Sequence, residues 1–425
     1  MRKILAPWLL GVALLSPARA ADFDGRKEKE ASPAAPASIP EVRPVPADDR
    51  VWAVVSADTG RRRSQASSLG LSIEEVSGAE VAGIATAAAL ARLRAAGFVI
   101  QRQTSLRNTL LKSFPTPDKA YHDYAGVEAE LGAIASANPG LASLVDIGQS
   151  YGGLNITAIR FNTTARGKEP SAKPGAFFVG SHHAREHLST EVPLLLAQWL
   201  AENKAKPEVK ALLESRDIYI APLVNPDGSE FDIKTGTYRW QRKNMRPNTD
   251  GSVGTDLNRN YGSHWGESGA STDPSDDTYQ GPGAFSEPET QAVRKFVTER
   301  PNLRVMASYH TYSELILYPW SYTADPVPNA PALKAFKAIA QKMGQWTGYA
   351  AQQSGEFYPS SGDTCDWAWE SRGIFCFTFE LTPKSSSGGG FYPGPGAIKP
   401  TFEKNIAPLL YLSGLADNPL RAAAR

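Results

Sequence analysis

The chain is short of several things, and each shortage removes a class of protein. Only two of its 425 residues are cysteine, Cys365 and Cys376, which excludes a scaffold held by several disulfides and leaves room for one. Neither charge is in excess: 45 Lys+Arg stand against 44 Asp+Glu, a net +1, so there is no electrostatic ground for binding nucleic acid or an anionic membrane. After residue 20 no apolar run approaches the roughly 18 residues needed to cross a bilayer. No segment repeats. What is present, 41% hydrophobic residues with 9% aromatic, suffices for a sizeable core, and the length predicts one large domain plus something smaller.

Residues 1–20 read as a secretory signal: Arg2 and Lys3, an apolar stretch over 4–15, then Ala18-Arg19-Ala20 as a small-x-small cleavage site. The mature protein is therefore expected to be secreted, extracellular or periplasmic, soluble and a monomer. Residues 21–49 are charged and then Pro/Ala-rich, a composition that cannot bury a core, and are expected to be a disordered linker. Residues 50–112 have the pattern of a small α+β unit. Its expected parts are a strand VWAVVS, a helical middle at 73–76, a strand EVAGIAT, a helix over 87–96 and FVIQRQ, followed by a polar, basic link over 104–112. From 113 to 417 helix and strand patterns alternate, which predicts a layered α/β domain with 418–425 as a tail. Its expected strands lie at 155–161, 175–179, 217–224, 305–312 and 375–381. Its expected helices lie at 122–138, 190–203, 286–299, 330–346 and 401–415.

The stretch GSHHAREHL, 180–188, gathers His182, His183, Arg185, Glu186 and His187 behind an apolar run. His183 and Glu186 stand three apart, so a single turn can aim both at one point, as a metal ion requires. Alone this is weak, because with six histidines an HxxE pair arises by chance in roughly one such sequence in three. His310, on a strand-like segment, completes a two-histidine, one-carboxylate set with a position left for water, a catalytic zinc arrangement; a satisfied core histidine is the plain alternative. Asp256 can hold a ligand imidazole in one tautomer. Arg242 in WQRKN, and Asn258 and Arg259 in TDLNRNY, offer charge-assisted bonds to a substrate carboxylate or a developing oxyanion, where solvated surface arginines are the plain alternative. Glu380 ends the apolar strand FCFTFEL. A buried, unpaired carboxylate costs several kcal/mol or is neutralised, so Glu380 needs a cationic partner or a role as base beside metal-activated water.

GSHHAREH, NPDG, RKN, GTDLNRNYG, YQGPGAFSEPE, SYHTYSELILYP, YPSSGDTCDW and FTFEL follow one another in an order and spacing that resemble the zinc carboxypeptidases of the carboxypeptidase A type, and among them bacterial carboxypeptidase T, over about residues 114–415. The resemblance implies a mixed central sheet flanked by helices on both faces, and a metallocarboxypeptidase that acts on peptide or protein C-termini with one Zn2+ per chain. It places His183, Glu186 and His310 on the zinc ligands, Glu380 on the general base and Arg242 on the group that meets the oxyanion. Asn258 and Arg259 match the pair that holds the terminal carboxylate, Arg185 a further substrate-binding arginine, and Asp256 the partner of His183. Tyr358 matches the tyrosine of a mobile loop, with 359–362 as its hinge. The side-chain pocket falls on Asp363, Cys365 and Thr378, from which mainly hydrophobic or aromatic C-terminal residues are expected to be released, with basic ones also accepted. Cys365 and Cys376 can meet as a disulfide or remain buried thiols. The acidic residues that bind calcium in carboxypeptidase T are mostly not evident in NTTARGKEPSAKP, which leaves calcium open. Related secreted enzymes carry an N-terminal domain over the cleft, so residues 50–112 are expected to be a pro-domain removed by cleavage near Lys112.

Three rivals remain at this stage. HAREH also reads as an inverted zinc motif, with His183 and His187 as ligands and Glu186 as base. The same metal set can serve a cell-wall amidase. A catalytically dead binder of peptide C-termini is the third, and the presence of every expected ligand together with Glu380 speaks against it.

Overall fold

The computed structural model describes residues 49–106, 116–233, 236 and 238–424. The signal, nearly all of the linker and the cleavage point near Lys112 lie outside the described residues. The first unit is a four-stranded antiparallel sheet of β1 (Val51–Ser56), β2 (Ser72–Ser77), β3 (Glu80–Ala85) and β4 (Ile100–Ser105), in the order β2-β3-β1-β4. Its helices, Gly60–Ser68 and Ala87–Ala95, start at Thr59 and Thr86, whose hydroxyls accept the amides of Arg62 and Ala89. Ala53, Val55, Val81, Leu90, Leu93 and Phe98 belong to a core of its own. The expectation of a helical middle at 73–76 is wrong. SIEEVS is strand β2, and the helix lies earlier, in the polar stretch GRRRSQASS. Pairing with β3 overrides the weak strand propensity of two adjacent glutamates. The register between β2 and β3 shifts between Ile73 and Glu75, a bulge that re-aims the side chain of Glu74.

The large unit is built on eight strands: β5 (Ala142–Gln149), β6 (Asn155–Phe161), β7 (Gly175–Gly180), β8 (Asp217–Ala221), β9 (Leu303–Thr311), β10 (Leu315–Tyr318), β11 (Ala350–Gln353) and β12 (Phe375–Leu381). Their order is β11-β10-β12-β9-β7-β8-β6-β5, with β12, β9, β7 and β8 parallel and antiparallel pairs at β10/β12, β8/β6 and β6/β5. The mixed α/β sheet is as expected.

The central strands read as continuous apolar runs because both of their faces are covered. From β7, Ala176 and Phe178 join the core that contains Leu196 of the helix Leu188–Glu202 and Leu409 of Ile398–Leu415. Phe177 and Val179 join the opposite core with Val293 and Phe296 of Pro288–Thr298. Parity along a strand therefore decides the face. On β12, Phe375, Phe377, Phe379 and Leu381 enter the first core and Cys376 the second, so Thr378 and Glu380 stand on the face of Cys376. The parallel register sets Thr378 beside Ser308 and Glu380 beside His310. The chain leaves β7 to one side for β8 and returns on the other for β9. That reversal opens a crevice at the carboxyl ends of the strands, where open α/β sheets bind their ligands.

Cys365, on the helix Thr364–Arg372, and Cys376 are joined as a disulfide with their Cα atoms 4.9 Å apart, which decides the alternative left open above. The bond closes a short ring, 11 residues in sequence separation. Replacing both cysteines by serine should lower stability by about 3 kcal/mol in denaturant titration. Intact mass measured under denaturing conditions should rise by two hydrogens on reduction; an unchanged mass would show free thiols.

Candidate metal centre

The centre begins where β7 ends. Gly180 is tight there, since a Cβ would lie 2.0 Å from the Ser189 carbonyl oxygen, so the absent side chain lets the following helix start close against the strand. The intervening turn carries His183 and Glu186, and the end of β9 carries His310; all three are buried. His183 Nδ1 lies 2.8 Å from Glu186 Oε1, His310 Nδ1 lies 3.1 Å from Glu186 Oε2, and the two Nδ1 atoms are 3.1 Å apart. The Thr311 amide donates to Glu186 Oε2 at 3.1 Å and holds that carboxylate in place. Among the described residues this is the one convergent group of three or more His, Cys, Asp or Glu side chains. Donors around a tetrahedral zinc, at ~2.0–2.2 Å from the ion, stand about 3.3 Å from one another. The observed spacings fit that geometry, and two nitrogens with a carboxylate are a donor set zinc favours.

The outer nitrogens are held as well. His183 Nε2 meets Asp256 Oδ1 at 3.0 Å, and His310 Nε2 meets Ser308 Oγ at 3.1 Å. Asp256 turns its other oxygen to Arg242 Nε at 2.9 Å. Burial raises the Asp256 carboxyl, but Arg242 and His183 outweigh it and hold the group well below its ordinary value. At Glu186 burial is likewise overcome, by His183 and His310. Glu380, half-buried, goes the other way: burial pushes its carboxyl up to about 8, His310 opposes the rise, and Glu186 and Glu74 add to it. A cation held by the three donors would oppose that rise further.

Around this point the structure assembles most of the expected residues. Arg242, Asn258, Arg259, Tyr358, Asp363, Thr378 and Glu380 line the same cleft as the three donors. Asn258 Nδ2 donates to Asp363 Oδ2 at 2.9 Å, and Asn258 Oδ1 accepts the amide and the hydroxyl of Thr364. Arg259 donates to the Tyr358 hydroxyl at 2.9 Å. Asp363 also caps the helix Thr364–Arg372, its Oδ1 accepting the amides of Cys365 and Asp366, so much of its accepting capacity is committed. Cys365 sits a layer deeper, its sulfur 3.5 Å from Thr378 Oγ1. Arg185 is fully buried between Glu74 Oε1 at 2.6 Å and Asp277 Oδ2 at 2.7 Å, with its guanidinium over the Phe391 ring. His187 turns away to Asp232 Oδ2 at 2.8 Å, which removes it from the ligand set of the inverted-motif rival. Sequence reasoning missed Glu74, Asp277 and Ser308. Ser308 alone carried a signal, standing two residues before His310 on a strand and hence on its face.

Sheet and centre together define a class, a metallohydrolase whose metal-binding donors sit at the carboxyl ends of a mixed α/β sheet. The family model described as zinc carboxypeptidase, peptidase M14, matches residues 127–408. A zinc carboxypeptidase of Saccharothrix mutabilis subsp. capreolus is 34% identical over 312 residues, 71% of each chain, and human carboxypeptidase A1 is 32% identical over 299 residues, 68% of each. The solved carboxypeptidase A of Helicoverpa armigera aligns with a TM-score of 0.70 at 24% identity, over 89% of this chain and 98% of that one. That share is larger than the residues from 116 onward make up, so the likeness in fold extends into the N-terminal unit. The chain belongs to the zinc carboxypeptidase family; it is a metallocarboxypeptidase, a hydrolase acting at the C-termini of peptides. Among the described residues no helix is long and apolar enough to cross a membrane.

The purified protein should bind one zinc per chain, and His183→Ala, Glu186→Ala or His310→Ala should each abolish stoichiometric binding. Asp256→Asn should weaken zinc about 10- to 100-fold in chelator competition. A His310→Ala variant holding zinc as tightly as wild type would refute this ligand set.

Proposed function

We propose that the chain is a secreted zinc carboxypeptidase made as a zymogen, releasing mainly hydrophobic or aromatic C-terminal residues with basic ones also accepted. The observation that carries this reading is the convergence of Glu380, Arg242 and the Asn258/Arg259 pair on the cleft that holds the three metal donors. Zinc there supplies Lewis-acid polarisation of the scissile carbonyl and acidifies the attacking water. Glu380 takes the water's proton and passes it to the leaving amine. Arg242 is anchored through Nε on Asp256, which leaves its terminal N–H groups to meet the charge that develops on the carbonyl oxygen. Arg259 and Asn258 bind the free terminal carboxylate and so fix which peptide bond lies at the metal; an internal bond offers no such handle. Tyr358, now bonded to Arg259, closes over the bound residue. Thr378 and the cystine behind it shape the side-chain pocket. With Asp363 engaged as a helix cap, a basic side chain meets only a partial counter-charge, so apolar residues come first.

The zymogen reading rests on what covers the cleft. The bulge in β2 brings Ile73 and Glu74 to its wall, where Glu74 pairs with Arg185, and Tyr358 packs against the N-terminal core. Arg92 pairs with Asp273 at 2.6 Å and with Asp276 at 2.5 Å, and Arg50 with Asp277 at 3.4 Å, holding the unit in place. The unit thus stands where a peptide would lie.

Protein cut near Lys112 should release free Phe from a blocked dipeptide, with chelator abolishing the reaction and Glu380→Gln lowering kcat by about 10²- to 10⁴-fold. Phe and Leu termini should be preferred over Lys and Arg. Absence of turnover by cut, zinc-loaded protein would sink the carboxypeptidase mechanism. In a parallel assay the uncut chain should be nearly inactive, and an uncut chain of full activity would end the zymogen reading.

A further inference from the structure

His182 is fully buried next to the ligand His183, yet it has no part in the mechanism above. Its ring lies almost parallel to that of His310, 5.6 Å away at 14°. Its Nδ1 faces Ser308 Oγ at 3.4 Å, and its Nε2 faces the Tyr261 hydroxyl at 2.8 Å and Thr364 Oγ1 at 3.2 Å.

On the metal-centre reading the direction of these bonds follows from the metal-facing end, where a bare His310 Nδ1 leaves Nε2–H to donate to Ser308, and the far end is compatible with it. The Thr364 amide can only donate and the Asp363 carboxylate can only accept, so Asn258 is oriented with Oδ1 toward Thr364 and Nδ2 toward Asp363. Thr364 then spends its hydroxyl proton on Asn258 Oδ1 at 2.7 Å, so its oxygen, like that of Tyr261 at 2.8 Å, is open to accept from His182 Nε2–H. A neutral His182 protonated on Nε2 accepts at Nδ1, so Ser308 donates to it. Ser308 oxygen accepts in turn from His310 Nε2–H at 3.1 Å. A neutral His310 protonated on Nε2 presents a bare Nδ1, the atom turned toward His183 and Glu186.

We propose that His182 is a positioning residue that fixes the tautomer and ring plane of His310 through the Ser308 hydroxyl, and that couples the metal centre to the carboxylate-binding Asn258 through Thr364. The proposal rests on the metallocarboxypeptidase reading. A core histidine filling space would do neither.

The test compares zinc release into excess chelator from the zinc-loaded wild type and from His182→Phe, which keeps an aromatic ring and loses both nitrogens. Release should become about 10- to 100-fold faster, and KM for a blocked dipeptide should rise. His182→Asn, which can still accept from Ser308, should restore much of the zinc retention. Ser308→Ala should reproduce the loss, and combining it with His182→Phe should add little, since both break one path. Wild-type release from His182→Phe would overturn the proposal; if that variant does not fold, wild-type release from Ser308→Ala would do so. Wild-type protein that binds no zinc would instead overturn the metal-centre reading, and this proposal with it.

Discussion

The site depends on one fully buried carboxylate. Asp256 has no exposure, and a charge in that position persists only if it is paired and hydrogen-bonded. Its partners are the parts the proposed chemistry needs to bring together: the His183 imidazole on one oxygen, the Arg242 guanidinium on the other, and the amide of Asn258, inside the short turn Leu257–Arg259 that Asp256 caps. One desolvated anion thus ties a metal-facing histidine, the arginine proposed to meet the carbonyl oxygen and the start of the pair proposed to bind the terminal carboxylate. Removing it would leave Arg242 as a buried cation with its main counter-ion gone, at a cost of about 3–5 kcal/mol, quite apart from any effect on the metal.

The sheet does for Glu380 and His310 what Asp256 does for His183 and Arg242. No bond joins Glu380 to His310. They are neighbours because β9 and β12 run parallel in a register that pairs them, and because each strand buries its alternate residues in an apolar core. A slip of one residue would carry Glu380 into the layer of Phe377 and Phe379 and bring a phenyl ring to the cleft. The apolar packing of FCFTFEL is therefore what fixes the position of a carboxylate.

This explains what could be read from the sequence. The long central elements were legible because burial on both faces leaves an unbroken apolar run, and GSHHAREH, TDLNRNY and FCFTFEL each place several functional residues on one local element. β10 and β11 have only four residues each and owe their existence to neighbours in the sheet, so LILY and AAQQ carried too little pattern. β5 and the helices Pro207–Ser215 and Thr364–Arg372 also escaped. Glu74 was invisible for a deeper reason. Its aim depends on a bulge against β3 and its partner Arg185 is far along the chain, so neither propensity nor periodicity reports it. The pairing of Cys365 with Cys376 was undecidable in the same sense, since the approach of their Cα atoms is set by how a helix lies on β12.

The contacts that seat the N-terminal unit differ in kind from those that build the rest. Its own core is apolar and is met from the large unit by Tyr358, whereas Glu74, Arg92 and Arg50 meet that unit through ion pairs, and Ser67 donates to the Gly269 carbonyl. Separable partners bury polar surface of this sort, whereas permanent ones bury a continuous apolar face. In the zymogen proposed above, separation would also change the charge around the cleft. Asp277, raised by burial but brought down to about 2 by Arg50, Arg185 and Lys243, would lose Arg50 and keep the other two. Arg185, now between two carboxylates, would keep one. On the proposed release the wall of the cleft, which Arg242 and Arg259 also line, would lose the Glu74 carboxylate. Without that carboxylate the side of the cleft that carries Arg242 and Arg259 would favour a ligand ending in a carboxylate more strongly, so in the zymogen proposed above Glu74 would both cover the site and mask the field that draws a peptide's C-terminus into it.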